Sequence, residues 1–106
     1  MSKPLRIDSD AEEELKAAAR WYEQQRSGLG YEFVAAIDDA LRETQEQPAA
    51  MSLYPGIAED LGVRRRLVAR FPYAIAYIER DTHIDVLAFA HGRRRPGYWK
   101  DRLQGS

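Results

Sequence analysis

The chain has no cysteine and only two histidines. The first absence removes disulfides and thiolate chemistry. The second leaves too few ligands for zinc, since no histidine and carboxylate spacing on one element completes a set, and no metal is expected. No apolar run approaches the roughly 18 residues that suggest a membrane span, so no membrane partner is expected. Met1-Ser2-Lys3-Pro4-Leu5-Arg6 lacks the apolar core of a secretion signal. Together these point to a cytoplasmic protein of a reducing compartment. A glycine-rich phosphate loop is also missing: Gly28-Leu29-Gly30 has no strand before it and no third glycine. No cofactor is expected.

What is present suits a folded protein. Of 106 residues, 44% are hydrophobic and 10% aromatic, enough for one modest core and one domain spanning residues 1–106. The formal net charge of −1 hides an asymmetry. Residues 1–62 hold six Lys or Arg against thirteen Asp or Glu, net −7; residues 63–106 hold ten against four, net +6. Such a split suits a surface for an acidic or polyanionic partner. The other reading is that acidic helices and basic strands neutralise one another within the fold.

Leu5 to Ile7 is a candidate first strand. Ser9 then opens a helix with a Ser-x-x-Glu capping box completed by Glu12, and Leu15, Ala18, Ala19 and Tyr22 lie on one face. Ser27-Gly28 stops it near Arg26. A second helix runs from Leu29 to about Gln45, with Phe33, Ile37 and Leu41 on its apolar stripe, and Pro48 ends it. Residues 48–62 read as a connecting loop with room for a helical turn. Val63–Arg70, Tyr73–Glu79 and Ile84–Ala90 are rich in β-formers and closely connected, hence antiparallel. Arg80-Asp81-Thr82-His83 is a hairpin loop, with His83 an exposed turn residue. Tyr98–Leu103 has the makings of a last helical turn. The order βααβββ describes an α+β fold, a helical hairpin on one face of a small, mostly antiparallel sheet.

Two clusters carry the candidate chemistry. In Arg64-Arg65-Arg66 strand alternation puts Arg64 and Arg66 on one face and Arg65 on the other. Guanidinium forks suit phosphate and carboxylate groups, so the triplet either meets a partner or protects a solvated strand. His91-Gly92-Arg93-Arg94-Arg95-Pro96-Gly97-Tyr98-Trp99 combines imidazole, guanidinium, phenol and indole. Cations beside aromatics grip nucleic-acid backbones and stack bases. RNA cleavage would use His91 or Tyr98 as acid or base and Arg93 to stabilise phosphate charge. Trp99 is expected to pack the tail on the sheet.

Several of these residues recur as an ordered set. Trp21-Tyr22, Gly28-Leu29-Gly30, Phe33 and Pro48 are followed by Val63-Arg64-Arg65, Phe71-Pro72-Tyr73, Tyr77, Ala90-His91-Gly92-Arg93-Arg94 and Pro96-Gly97-Tyr98-Trp99. In that order and spacing the chain resembles the RelE/ParE family of bacterial toxins from type II toxin–antitoxin modules. The resemblance implies a toxin neutralised by a cognate antitoxin that wraps over it. RelE-like members cut mRNA in the ribosomal A site without a metal; ParE-like members inhibit DNA gyrase and are not nucleases. A third outcome is a domain that has lost toxicity and only binds antitoxin. For ribosome-dependent cleavage the resemblance assigns Arg65 as a central-strand cation, Arg93 as the late arginine and Tyr98, one position off, as the terminal tyrosine. His91 joins them as a proton carrier. Arg64, Arg66, Arg70, Arg94, Arg95 and Trp99 are the candidates for RNA or partner contact. One departure stands out: ribonuclease members commonly carry an arginine after the first tyrosine of the Tyr-x-x-x-Tyr strand, where this chain has Ala74. Arg64, Arg66 and Arg70 are the available substitutes.

Overall fold

Two helices with one apolar stripe each must cover something, and a sheet with an apolar face is the surface the rest of the chain supplies. The computed structural model describes residues 2–103. Strand β1 (Leu5–Ile7) leads into helices α1 (Ser9–Gln25) and α2 (Leu29–Glu46); β2 (Arg64–Leu67), β3 (Tyr73–Glu79) and β4 (Ile84–His91) follow. Short 3₁₀ turns occupy Glu59–Leu61 in the long loop and Lys100–Leu103 at the end. The sheet order is β1-β4-β3-β2, with β1 parallel to β4 and the other pairs antiparallel. This is the α+β arrangement that the sequence pattern predicts.

The start of α1 differs by one residue from the expected capping box. Asp8, not Ser9, is the N-cap, its carboxylate accepting the N–H groups of Asp10 at 2.8 Å and Ala11 at 3.3 Å. The reason lies in the sheet: the Asp8 N–H donates to the Val86 carbonyl at 3.0 Å, which fixes Asp8 at the end of β1 with its side chain free to cap. The α1–α2 turn needs its glycines for two reasons. Gly28 has φ of 89°, a left-handed conformation, and a Cβ at Gly30 would meet the Ala19 carbonyl oxygen at 2.8 Å. Glu23 of α1 then supplies the cap that Gly28 cannot, accepting the Gly28 and Gly30 N–H groups at 2.9 and 3.0 Å.

Both faces of the sheet are covered. Phe33, Ile37 and Leu41 of α2 and Ala11 and Ala18 of α1 pack on Ile75, Tyr77, Val86 and Phe89. On the opposite face Tyr54, Ile57 and Val63 from the long loop join Ala76, Ile78, Leu87 and Trp99. A bulge links the two. Ala76 pairs with Ala88 but Tyr77 pairs with Val86, so Leu87 is an extra residue in β4. It shifts the alternation by one: Ile84 and Val86 face the helices, and beyond the bulge Phe89 does so again. His91, two residues on, shares the side of Phe89 and sets its ring edge on Tyr73 at 5.2 Å.

Two sequence expectations are corrected here. The strand expected over Val63–Arg70 is regular only from Arg64 to Leu67. Arg70 takes φ of 72° and turns the chain toward Phe71-Pro72, while the Val68 N–H still reaches the Tyr73 carbonyl at 2.9 Å. His83 is not an exposed turn residue: its side chain is 16% exposed, and Nε2 lies 3.1 Å from Asp85 Oδ1. Asp85, itself nearly buried, draws His83 and Arg80 together at the hairpin.

Ile37 is fully buried between the helices and the sheet. Ile37→Ala should therefore lower unfolding free energy by about 2–5 kcal/mol, with the cavity adding to the lost transfer energy. Urea unfolding checks this; an unchanged midpoint would place Ile37 outside the core.

Candidate functional site: a cationic, aromatic cleft

Strand pairing separates the arginine triplet. Arg66 points at the C-terminus of α2 and is 8% exposed. Its Nε donates to Thr44 Oγ1 at 2.9 Å, and Nη2 approaches the Glu43 and Gln47 carbonyls at 3.4 and 3.5 Å, where the helix end is negative. Arg64 donates to the Met51 carbonyl. Arg65, on the other face, lies over the Tyr54 ring at 5.8 Å and makes no ion pair among the described residues. Arg70 is tied to Glu32 at 2.8 Å, and Glu32 also takes Arg26 at 3.1 Å. Those two guanidinium groups, Arg70 first, hold the Glu32 carboxyl below its ordinary pKa.

Arg65 borders a cleft of about 380 Å³ together with Tyr54, Phe71, Tyr73, His91 and Arg94. No acidic residue lines it, and Ala74 forms part of its wall. Next to it, across His91, Tyr73 and Arg94, lies a smaller hollow of about 290 Å³ that reaches Glu14, Trp21 and Tyr98. A hollow of about 440 Å³ elsewhere, bounded by Arg6, Asp8, Asp85 and Arg102, gathers none of the candidate residues. Three of its charged groups are engaged, Asp8 as a cap, Asp85 by Arg80 and Arg102 by Glu14. Among the described residues no group of three His, Asp or Glu side chains converges on a point that a metal would occupy.

The four residues proposed for proton transfer and charge stabilisation do not form one group. Arg65 and His91 share the larger cleft, His91 and Tyr98 share the smaller hollow, and Arg93 borders neither. The Tyr98 hydroxyl donates to Glu14 Oε2 at 2.6 Å, and its ring lies under the Arg94 guanidinium at 3.8 Å. Burial raises the Tyr98 pKa far above the ordinary phenol value, and the Glu14 carboxylate raises it further. His91 Nδ1 accepts the Arg93 backbone N–H at 3.0 Å, which leaves the ring proton on Nε2. The Arg93 and Arg95 side chains are exposed and border neither hollow. Trp99 is fully buried on the second face of the sheet, against Tyr54 at 5.3 Å.

Glu14 was not among the residues singled out from sequence. It accepts the Phe89 N–H at 3.1 Å, Arg102 Nη1 at 3.0 Å and Nη2 at 3.2 Å, besides the Tyr98 hydroxyl. A signal for it existed: Ala11, Glu14 and Ala18 fall at i, i+3 and i+7, so one glutamate of the Glu12–Glu14 run sits on the apolar stripe. Tyr54 was missed, and Phe71 entered only as part of the family resemblance, because aromatics in loops carry no periodicity.

A family model described as the ParE toxin of the type II toxin-antitoxin system, parDE, matches residues 5–96. The chain belongs to the ParE toxin family. Its fold is shared with a solved chain described as "Chromosomal ParDE TA system from P. aeruginosa", at a TM-score of 0.60 and 16% identity, over 85% of this chain and 96% of that one. At that identity the likeness speaks for the fold. Comparison with curated proteins gives no match.

The Tyr98 lock in this ParE-family chain has an alkaline signature. A phenol whose folded pKa is raised contributes stability that is fully present below the unfolded value near pH 10 and lost as pH rises toward the folded one. Burial also raises the pKa values of Tyr22, Tyr54, Tyr73 and Tyr77, so phenolate absorbance should show several tyrosines ionising late, and Tyr98→Phe should reduce the most alkaline part of that absorbance. A titration unchanged by the substitution would contradict the lock.

Proposed function

We propose that this chain is a cytoplasmic toxin, acting as one domain, that blocks growth by binding DNA gyrase and is held inactive by a cognate antitoxin. The observation that carries the reading is the engagement of Tyr98 by Glu14, which removes from proton transfer the phenol that the family resemblance assigns to that role. An acid with a strongly raised pKa is a poor donor to a leaving oxygen at neutral pH.

Ala74 adds support. It stands where ribonuclease relatives carry a cation, and each candidate substitute has another partner: Arg64 the Met51 carbonyl, Arg66 Thr44, Arg70 Glu32. Missing one charge-stabilising donor costs on the order of 10²–10³ in rate where such donors have been removed. The ParE family assignment agrees, since gyrase inhibition is the activity that the sequence resemblance attaches to ParE-like members.

Purified chain should block supercoiling by purified gyrase and should leave the mRNA of translating ribosomes without new 5′ ends. The two assays run on one preparation. New mRNA ends with supercoiling intact would reverse the conclusion in favour of ribosome-dependent cleavage.

A further inference from the structure

We propose that the cleft between Arg65 and Arg94 seats an acidic, apolar segment of the target protein, with the two guanidinium groups gripping its carboxylates. The inference rests on the reading of the chain as a toxin that binds its target.

Several basic side chains on and around the sheet are spent within the fold: Arg66 on α2, Arg70 on Glu32, Arg80 on Asp85 and Arg102 on Glu14. Arg65 and Arg94 differ. Neither makes an ion pair or side-chain hydrogen bond among the described residues, and both border a cleft with no acidic wall. Each is nevertheless held in place by an aromatic face, Arg65 by Tyr54 and Arg94 by Tyr98. Stacking leaves the planar guanidinium edge, with its N–H donors, free for a carboxylate. Side-chain entropy is thereby lost before binding rather than on it, which favours affinity.

The walls choose among anions. Besides the two arginines, His91 and the tyrosines Tyr54 and Tyr73, the lining is apolar, with Val68, Phe71 and Ala90 among it. A nucleic-acid backbone needs a row of cations along its phosphates. This cleft has two arginines and a histidine around an apolar floor, which suits a segment pairing one or two carboxylates with apolar side chains. Its size of about 380 Å³ admits a few side chains of a loop presented by a large folded partner. A stable complex buries on the order of 800 Å² per partner, so the cleft anchors one part of a larger contact. Charge complementarity and preorganised cations, on a chain whose proposed activity is to bind its target, favour the target as occupant.

The test compares full-length variants against intact gyrase in the supercoiling assay. Each is also scored for thermal melting, neutralisation by the antitoxin encoded beside the gene, and binding of a labelled single-stranded RNA oligonucleotide. Arg65→Ala with Arg94→Ala should raise the inhibitory concentration roughly 30-fold or more, the range of central interface residues. Arg65→Glu should lose more than Arg65→Ala, because like charge then meets the carboxylate. Lys16→Ala with Arg20→Ala, an equal charge loss on α1, should inhibit like the parent chain. If the double variant is unfolded, Arg65→Glu alone decides, since the Arg65 side chain makes no hydrogen bond or ion pair among the described residues and only its backbone serves the fold. Folded cleft variants that inhibit as well as the parent overturn the inference and leave the gyrase reading standing. The same holds if they inhibit normally but escape the antitoxin, or inhibit normally but lose the RNA oligonucleotide. A parent chain without effect on supercoiling removes the gyrase reading and this inference with it.

Discussion

A carboxylate placed on the apolar stripe of a helix is expensive unless donors surround it, and Glu14 is surrounded. Its two oxygens take a β4 backbone N–H, the Tyr98 hydroxyl and the Arg102 guanidinium. Three parts of the chain meet there: α1, the edge of β4 that the three-residue β1 is too short to cover, and the C-terminal segment. Between Tyr98 and Arg102 sits Trp99, buried on the far face of the sheet with Tyr54, Ile57 and Val63. Its Nε1 has no hydrogen-bond partner among the described residues, a debit of about 1–3 kcal/mol that burial of the indole offsets. The second core thus depends on a segment anchored at both ends by one glutamate.

The same anchoring bears on function. A phenol fixed to a carboxylate presents its ring, not its proton, to the neighbouring surface, and the ring is where Arg94 stacks. The bulge at Leu87 brings His91 beside Tyr73, between the two hollows. What the strand ends offer outward is therefore fixed cations and aromatic faces, a constellation suited to recognition. Part of the basic excess of residues 63–106 meets the acidic helices. Both readings of the charge asymmetry hold in part: Arg66, Arg70 and Arg102 pair with Glu43, Glu32 and Glu14 of the helices, whereas Arg65, Arg93, Arg94 and Arg95 make no ion pair among the described residues.

Much of the fold was legible in the sequence because its signals are periodic or punctuated. The α2 stripe of Phe33, Ile37 and Leu41, the Gly28-Leu29-Gly30 turn and the alternating β3 all follow from spacing. The true cap of α1 was not legible, since Asp8 and Ser9 cap equally well and only the bond to Val86 chooses between them. The bulge was hidden because Leu87-Ala88 reads as ordinary strand, and without it His91 falls on the wrong face. At the site, the split of Arg65 from Arg64 and Arg66 followed from alternation alone. The destinations of Arg66 and Tyr98 did not, because Thr44 and Glu14 lie 22 and 84 residues away in sequence.

The central claim is that the Tyr98 hydroxyl is structural and the chain works by binding. Tyr98→Phe keeps the ring under Arg94 and deletes only the hydroxyl. Expressed in bacteria without antitoxin, this variant should melt at a lower temperature than the parent yet still arrest growth. A variant that melts like the parent but no longer arrests growth would contradict the account and return Tyr98 to the chemistry.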